Sequence, residues 1–170
     1  MMAGAGMRYG GTLVVQPVRN GLGLVALRPI AAGEVICHVR GRIVSAAKVW
    51  GYWKRDRRRG ENCFRFDADH YLDPEGEIGA YANHGCNPNA RIVRGPRALW
   101  LHALRPIRRG EEVIHDYSTL LGADDVWTMR CNCGARQCRG VVANAGRLPA
   151  AVLRDYRRRE AVPRFILDTL

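Results

Sequence analysis

The chain has 170 residues, 47% of them hydrophobic, which suits one domain with its own core and is short for two. No apolar run approaches the ~20 residues of a membrane span, and the opening MMAGAGMRYGG lacks the apolar centre of a signal peptide, so residues 1–10 read as a loose tail on an intracellular protein. Net charge is +11, almost all of it arginine, which draws the chain towards acidic surfaces including nucleic acid, yet no recognition helix, ribonucleoprotein motif or stacking ladder accompanies the charge.

In chain order, residues 12–18 are apolar and β-branched and predict a strand. Asn20-Gly21-Leu22-Gly23 follows as a turn, where two glycines free the backbone for positive φ, for close approach to a ligand, or simply for a hairpin. Residues 24–27 and 34–39 predict strands around Pro29 and a turn at Ala32-Gly33, with 41–44 extending the sheet. Residues 45–58 predict a helix capped by Ser45: Val49, Trp50 and Trp53 gather its apolar face, and the run Lys54, Arg55, Arg57, Arg58, Arg59 its solvated one. Short strands over 63–66 and 70–73, a helical turn over 76–81, and a hairpin of 91–94 with 98–104 across Gly95-Pro96 complete the central part. Residues 120–130 read as a loop, 149–159 as a helix begun by Pro149, and Phe165, Ile166 and Leu167 as a closing apolar patch. One phrase occurs twice, LRPIAAGE at 27–34 and LRPIRRGE at 104–111, and two like corners point to a folded-over β architecture.

Chemistry concentrates in three places. The stretch YANHGCNPNA over 81–90 is too polar for a core strand, and Pro88 keeps Asn87 out of the α conformation, so it reads as a loop serving a site. About thirty residues on comes GEEVIHDYS, and beyond it CNCGARQCRG. Clustered cysteines in an intracellular chain point to metal, and Cys131, Cys133 and Cys138 are one thiol short of a tetrahedral structural zinc site. Cys37 and Cys63, among apolar neighbours, read as core residues.

In this order the motifs resemble those of the SET-domain protein lysine methyltransferases with a cysteine-rich post-SET tail. NGLGLVALRPIAAGEVI is similar to the family's GxG segment, YANHGCNPNA to its NHxCxPN segment, GEEVIHDYS to its GEExxxDY segment and CNCGARQCRG to its CxCxxxxC signature. The resemblance covers about residues 18–140 and implies a mainly β fold with short helices: a β-clip with a knot-like core and a small zinc-binding C-terminal segment. It divides the chain into the tail, a SET domain over 11–120, a post-SET segment over 121–145 and a helical extension over 146–170.

The same resemblance implies S-adenosylmethionine as methyl donor and a protein lysine, histone or histone-like, as acceptor. Tyr117 would be catalytic. Gly21, Leu22, Gly23, Asn83 and His84, with Tyr117, would hold the donor, and Tyr81 and His115 would line the substrate channel. Cys86 would join Cys131, Cys133 and Cys138 around one structural zinc. Two positions depart from the pattern. His38-Val39 replaces a frequent Glu-Tyr, and His115 stands where Phe or Tyr is usual, at a position that helps set how many methyl groups fit. No extended pre-SET zinc region precedes the match, and the compact, Arg-rich chain suits a bacterial member. The competing reading is a non-catalytic SET-like module that uses its basic faces on nucleic acid or an acidic protein; intact Tyr117, Asn83 and His84 weigh against it.

Overall fold

In the computed structural model the described residues are 6–170; the first half of the expected loose tail, residues 1–5, lies outside them. From Gly6 onward that segment is built into the structure. The Gly6 N–H donates to the Val15 carbonyl at 2.8 Å, and β1 (Arg8–Tyr9) pairs antiparallel with β2 (Leu13–Val18). β2 reverses at Arg19-Asn20 into β3 (Gly21–Ala26), so Gly21 and Gly23 lie on the strand behind the turn and not in it.

β4 (Val35–Val39) and β5 (Arg42–Ser45) do not share a sheet as expected. The chain leaves the first at Gly41, where any Cβ would stand 2.4 Å from the Asp73 carbonyl, and only glycine lets the backbone pass that closely. The single expected helix is two. α1 (Ala46–Arg55) starts on the Ser45 cap, whose hydroxyl accepts from the Lys48 N–H at 3.3 Å. It stops at Asp56, whose carboxylate caps α2 (Arg57–Glu61) through the Arg59 N–H. Arg59 leaves the solvated face: its guanidinium lies over Tyr52 and meets buried Asp73 at 2.7 Å.

β6 (Phe64–Arg65) and β7 (His70–Asp73) join β5 in the order β5-β7-β6. After a 3-10 turn at Ile78–Tyr81 come β8 (Asn83–His84), β9 (Ala90–Arg94) and β10 (Leu99–Ala103). β10 is the centre of the sheet β4-β10-β9, where alternation sends Leu99 and Leu101 inward with Val39, Cys37 and Ile92. β11 (Ile114–His115) pairs with β8, and β12 (Met129–Arg130) with β13 (Val141–Val142). α3 (Ala150–Arg158) and α4 (Arg164–Leu167) close the chain around a second core of Ala145, Leu148, Tyr156, Ala161, Val162 and Ile166.

The repeated phrase is a structural pair. Ile30 and Ile107 exchange N–H···O bonds of 2.9 Å in both directions. The Gly33 N–H reaches the Ala103 carbonyl at 2.8 Å, and the Gly110 N–H reaches the Ala26 carbonyl at 2.7 Å. Glu34 accepts from the Ala31 N–H as Glu111 does from the Arg108 N–H. The two corners thus clasp each other around a pseudo-twofold axis, with both isoleucines buried between them.

Leu101 has no exposure and sits on the central strand of the main core. Leu101→Ala is expected to lower unfolding stability by about 2–5 kcal/mol. Urea titration should show the midpoint falling at unchanged slope; a midpoint within error of the parent would place the core elsewhere.

Candidate functional site

The polar loop expected at 81–90 does enter a strand, contrary to the reading of it as too polar. β8 and β11 run parallel, with Ile114 opposite Asn83 and His115 opposite His84. Its polar side chains Asn83, His84 and Asn89 are tolerated because each meets a partner. Asn89, 1% exposed, accepts from the Ile114 N–H at 2.9 Å and donates to the Glu112 carbonyl at 2.7 Å and the Glu111 carboxylate at 3.0 Å. Gly85 lets the crossing close, since a Cβ there would lie 2.4 Å from Ile114 Cδ1.

This pairing places Tyr117 against Asn83 and His84. The Tyr117 hydroxyl donates to the Ala82 carbonyl at 3.1 Å, and its backbone N–H donates to His84 Nδ1 at 3.2 Å. Burial, with the nearby Glu112 charge, pushes the phenol pKa well above its ordinary value, so the hydroxyl stays protonated. Because Nδ1 accepts, the His84 proton sits on Nε2, which lies 3.4 Å from Cys86 Sγ. Burial lowers the His84 pKa to about 4, with Arg139 acting in the same direction against Asp116. Both ring nitrogens of this expected donor-site residue are therefore engaged inside the protein.

Asp116, next to Tyr117, is fully buried and strongly bound. Arg139 meets it at 2.7 and 2.8 Å, the Tyr156 hydroxyl of α3 donates to it at 2.8 Å, and the Ser118 N–H donates at 3.0 Å. Burial opposes its ionisation, but these partners hold its pKa below the usual carboxylate range. The sequence reading missed this network. Asp116 and Arg139 were visible as the charged residues beside Tyr117 and Cys138; nothing in the sequence pointed to Tyr156.

The residues expected to hold the donor gather where β3 meets Asn83. Asn83 Nδ2 donates to the Leu22 carbonyl at 3.0 Å and to Glu112 Oε1 at 2.8 Å. At Gly23 a Cβ would lie 2.5 Å from Glu112 Oε1 and 2.8 Å from Asn83 Nδ2, so only glycine lets β3 pack this closely against them. Gly21 holds φ +100° at the start of β3, and a Cβ on it would meet no atom within 4 Å among the described residues. Leu22, Gly23, Asn83, His84 and Tyr117 are thus brought together, while Gly21 serves the hairpin.

A cavity of about 390 Å³ opens beside Tyr117, walled largely by Trp53, Phe64, Tyr71, Leu120 and Trp127, with the charged residues Arg57, Glu61, Asp124 and Asp125 also in its lining. His115 lines it with Tyr117; Tyr81 does not, packing instead against the main core between Ala80 and Ala82. Buried Arg65 fixes the loop under the rim by binding Asp124 at 2.7 Å and Asp125 at 2.9 Å. His115 is 1% exposed, stacked on Phe64 and tilted against Tyr117, and neither ring nitrogen has a hydrogen-bond partner among the described residues.

Cys86, Cys131, Cys133 and Cys138 place their sulfurs within 4.8 Å of one another. Cys86 and Cys131 sulfurs are 3.7 Å apart, close to the ~3.8 Å edge of a tetrahedron with ~2.3 Å zinc–sulfur bonds. The Arg139 and Gly140 N–H groups donate to the Cys86 and Cys138 sulfurs at 3.4 and 3.5 Å. Burial opposes ionisation of Cys133, but backbone and thiol hydrogen bonds bring its pKa down to about 7. The donor set fits a thiolate-loving cation. Arg19, at the turn before β3, donates to the Asn132 carbonyl at 3.1 Å and ties this centre to the β2–β3 hairpin.

Burial lowers the His115 pKa to about 3, with His84 adding to the effect. An unfolded histidine near 6.5 binds a proton that the folded one refuses, so this contribution is complete above pH 6.5 and is lost as pH falls towards 3. His115→Phe should flatten that part of the acid-side fall in melting temperature. It should also stabilise the protein at pH 7 by about 1–3 kcal/mol, because the unpaired nitrogens go. Melting curves between pH 7 and 4 decide; a variant with an unchanged acid-side slope would remove His115 as the source.

The SET domain family model matches residues 21–118, a span containing both strands of the β8–β11 pair and Tyr117. Among curated proteins the chain is 34% identical over 130 residues to the H3 lysine-4 specific histone-lysine N-methyltransferase of Cryptococcus neoformans, covering 71% of this chain and 9% of that one. It is 32% identical over 136 residues to histone-lysine N-methyltransferase ASHH3 of Arabidopsis thaliana, covering 74% of this chain and 36% of the relative. The chain thus spans well under half the length of these relatives. In structure it resembles the methyltransferase domain of human histone-lysine N-methyltransferase SETMAR, with TM-score 0.63, 24% identity, and 78% of this chain and 58% of that one covered. The knot-like crossing, the mainly β architecture and the family match agree, and the chain belongs to the SET domain family.

Proposed function

We propose that this chain moves a methyl group from S-adenosylmethionine to the side-chain amine of a protein lysine. The observation that carries the reading is Tyr117, whose protonated hydroxyl is held on the Ala82 carbonyl where the apolar cavity meets the Asn83–His84 strand. The donor, when bound, supplies an electrophilic methyl on a positively charged sulfur. Everything else falls to the protein: holding donor and amine in line, keeping water out, and receiving the amine uncharged.

Leu22, Gly23 and Asn83 would hold the donor's amino-acid end, and the cavity would take the lysine's alkyl chain between Phe64, Tyr71 and Trp127. Deprotonating a lysine of pKa ~10.4 at pH 7 costs about 4.6 kcal/mol. Neither imidazole of the site is a base strong enough to help. A proton moved from that lysine to His115, with its pKa of about 3, would climb roughly 10 kcal/mol. The amine must therefore lose its proton to bulk water on the way in, favoured by the apolar walls. Alignment supplies the rest, where preorganised sites contribute about 7–11 kcal/mol. The relatives' names concern histone lysines, and a histone or histone-like protein is the acceptor class we take for this chain.

The cysteine cluster would hold one zinc that ties Cys86, two residues after His84, to the tail behind it. Its part is structural: it would fix Arg139 against Asp116 and so the backbone that carries Tyr117.

Purified protein incubated with labelled methyl donor and core histones or a protein extract should label lysine. Tyr117→Phe should keep donor affinity and lose about 10²-fold in turnover, since an aligning contact is removed and no binding contact. Equal turnover in the variant would end the assignment. With donor and acceptor saturating, the rate should climb from pH 7 to 9 as the neutral amine accumulates; a flat profile would mean another acceptor group.

Metal analysis of protein carrying no histidine tag should find near one zinc per chain. Cys133→Ser should cut activity far more than the far-ultraviolet circular dichroism of the core. Active protein without zinc would exclude the site, and a fully active variant would deny the metal any hold on Tyr117.

A further inference from the structure

Glu112 is half-buried at the edge of the donor cradle and forms no ion pair among the described residues, although the chain carries 27 Lys and Arg. Its neighbour in sequence shows the contrast: Glu111 meets Arg105 at 2.8 Å. Glu112 Oε1 has instead a neutral partner, the Asn83 amide at 2.8 Å. The backbone leaves it little choice of place. Glu112 bridges Val25 of β3, and its flanks are bonded at 2.8 and 3.0 Å through Val113 to Leu24 and through Ala26 to Glu111.

Two consequences follow for the cradle. Both partners of Asn83 Nδ2, the Leu22 carbonyl and Glu112, are acceptors only, so the amide is locked and Oδ1 faces away from them as an acceptor. A Cβ at Gly23 would lie 2.5 Å from Glu112 Oε1 and 2.8 Å from Asn83 Nδ2, so the backbone of β3 passes directly against one carboxylate and one fixed amide. A partly buried carboxylate facing a neutral group is favoured by a cation brought from outside. We infer that Glu112 is the anionic side of the donor's amino-acid subsite, locking Asn83 and complementing the ligand's α-ammonium group. The inference rests on the methyl-transfer reading and deepens it, because it assigns one residue outside the recognised donor set to one charge of the ligand.

The test is binding, with no acceptor needed. S-Adenosylhomocysteine, the demethylated product, keeps the α-ammonium; its deaminated analogue differs by that group alone. By calorimetry the wild type should bind the amine at least about tenfold more tightly than the deaminated analogue, the strength of one charge-assisted hydrogen bond. Glu112→Gln keeps an acceptor for Asn83 and removes the charge. It should weaken the amine about tenfold and leave the deaminated analogue within about twofold. Equal loss of both ligands, or no loss, would overturn the inference, as would a wild type that binds both equally, a comparison independent of whether the variant folds. A wild type that binds neither ligand would instead overturn the methyl-transfer reading itself.

Discussion

A single buried carboxylate holds the working parts of this molecule in register. Asp116 has no contact with water and is bound by Arg139 from the cysteine-rich tail, by Tyr156 from α3 and by the backbone of the turn that carries Tyr117. A charge so placed is tolerable only with its partners present, and breaking such a pair by removing one side costs about 3–5 kcal/mol. Three segments distant in sequence must therefore arrive together. The tail contributes its thiols and also the guanidinium that makes Asp116 possible, while His84 joins the tyrosine backbone to the Cys86 sulfur.

The same economy governs the arginines. Read as composition, they promised a basic surface. In the fold several are internal struts: Arg59 on Asp73, Arg65 on Asp124 and Asp125, Arg139 on Asp116, and Arg91 on the carbonyls of Arg159 and Glu160. A planar fork that reaches two acceptors suits these places better than lysine, which the chain nearly lacks. Part of the net charge is thus structural in use.

Most elements were legible because local patterns and tertiary needs agreed. The alternation at 99–103, the Ser45 cap and the paired corners each carried a signal that the fold then used. What failed depended on partners distant in sequence. Asn83 and His84 looked too polar for a strand, since nothing local reveals that Asn89 and Tyr117 would satisfy the crossing. The break at Asp56 turned on a cap inside an apparently continuous helix. Gly41 read as strand because its need was set by Asp73, 32 residues on. In the site, motif residues were easy and their supports were not: Tyr117 stands in a recognisable phrase, whereas Tyr156 matters through geometry alone.

The clasp between the two corners bears on how the chain comes to be folded. Ile30 and Ile107 pair from 77 residues apart, and among the described residues neither corner has another mate for its inner N–H and carbonyl. The loop between them must be closed before the contact gives anything back, which makes for slow, late ordering. During synthesis the amino-terminal hairpin emerges with its apolar inner face unclothed and stays so until the second corner leaves the ribosome.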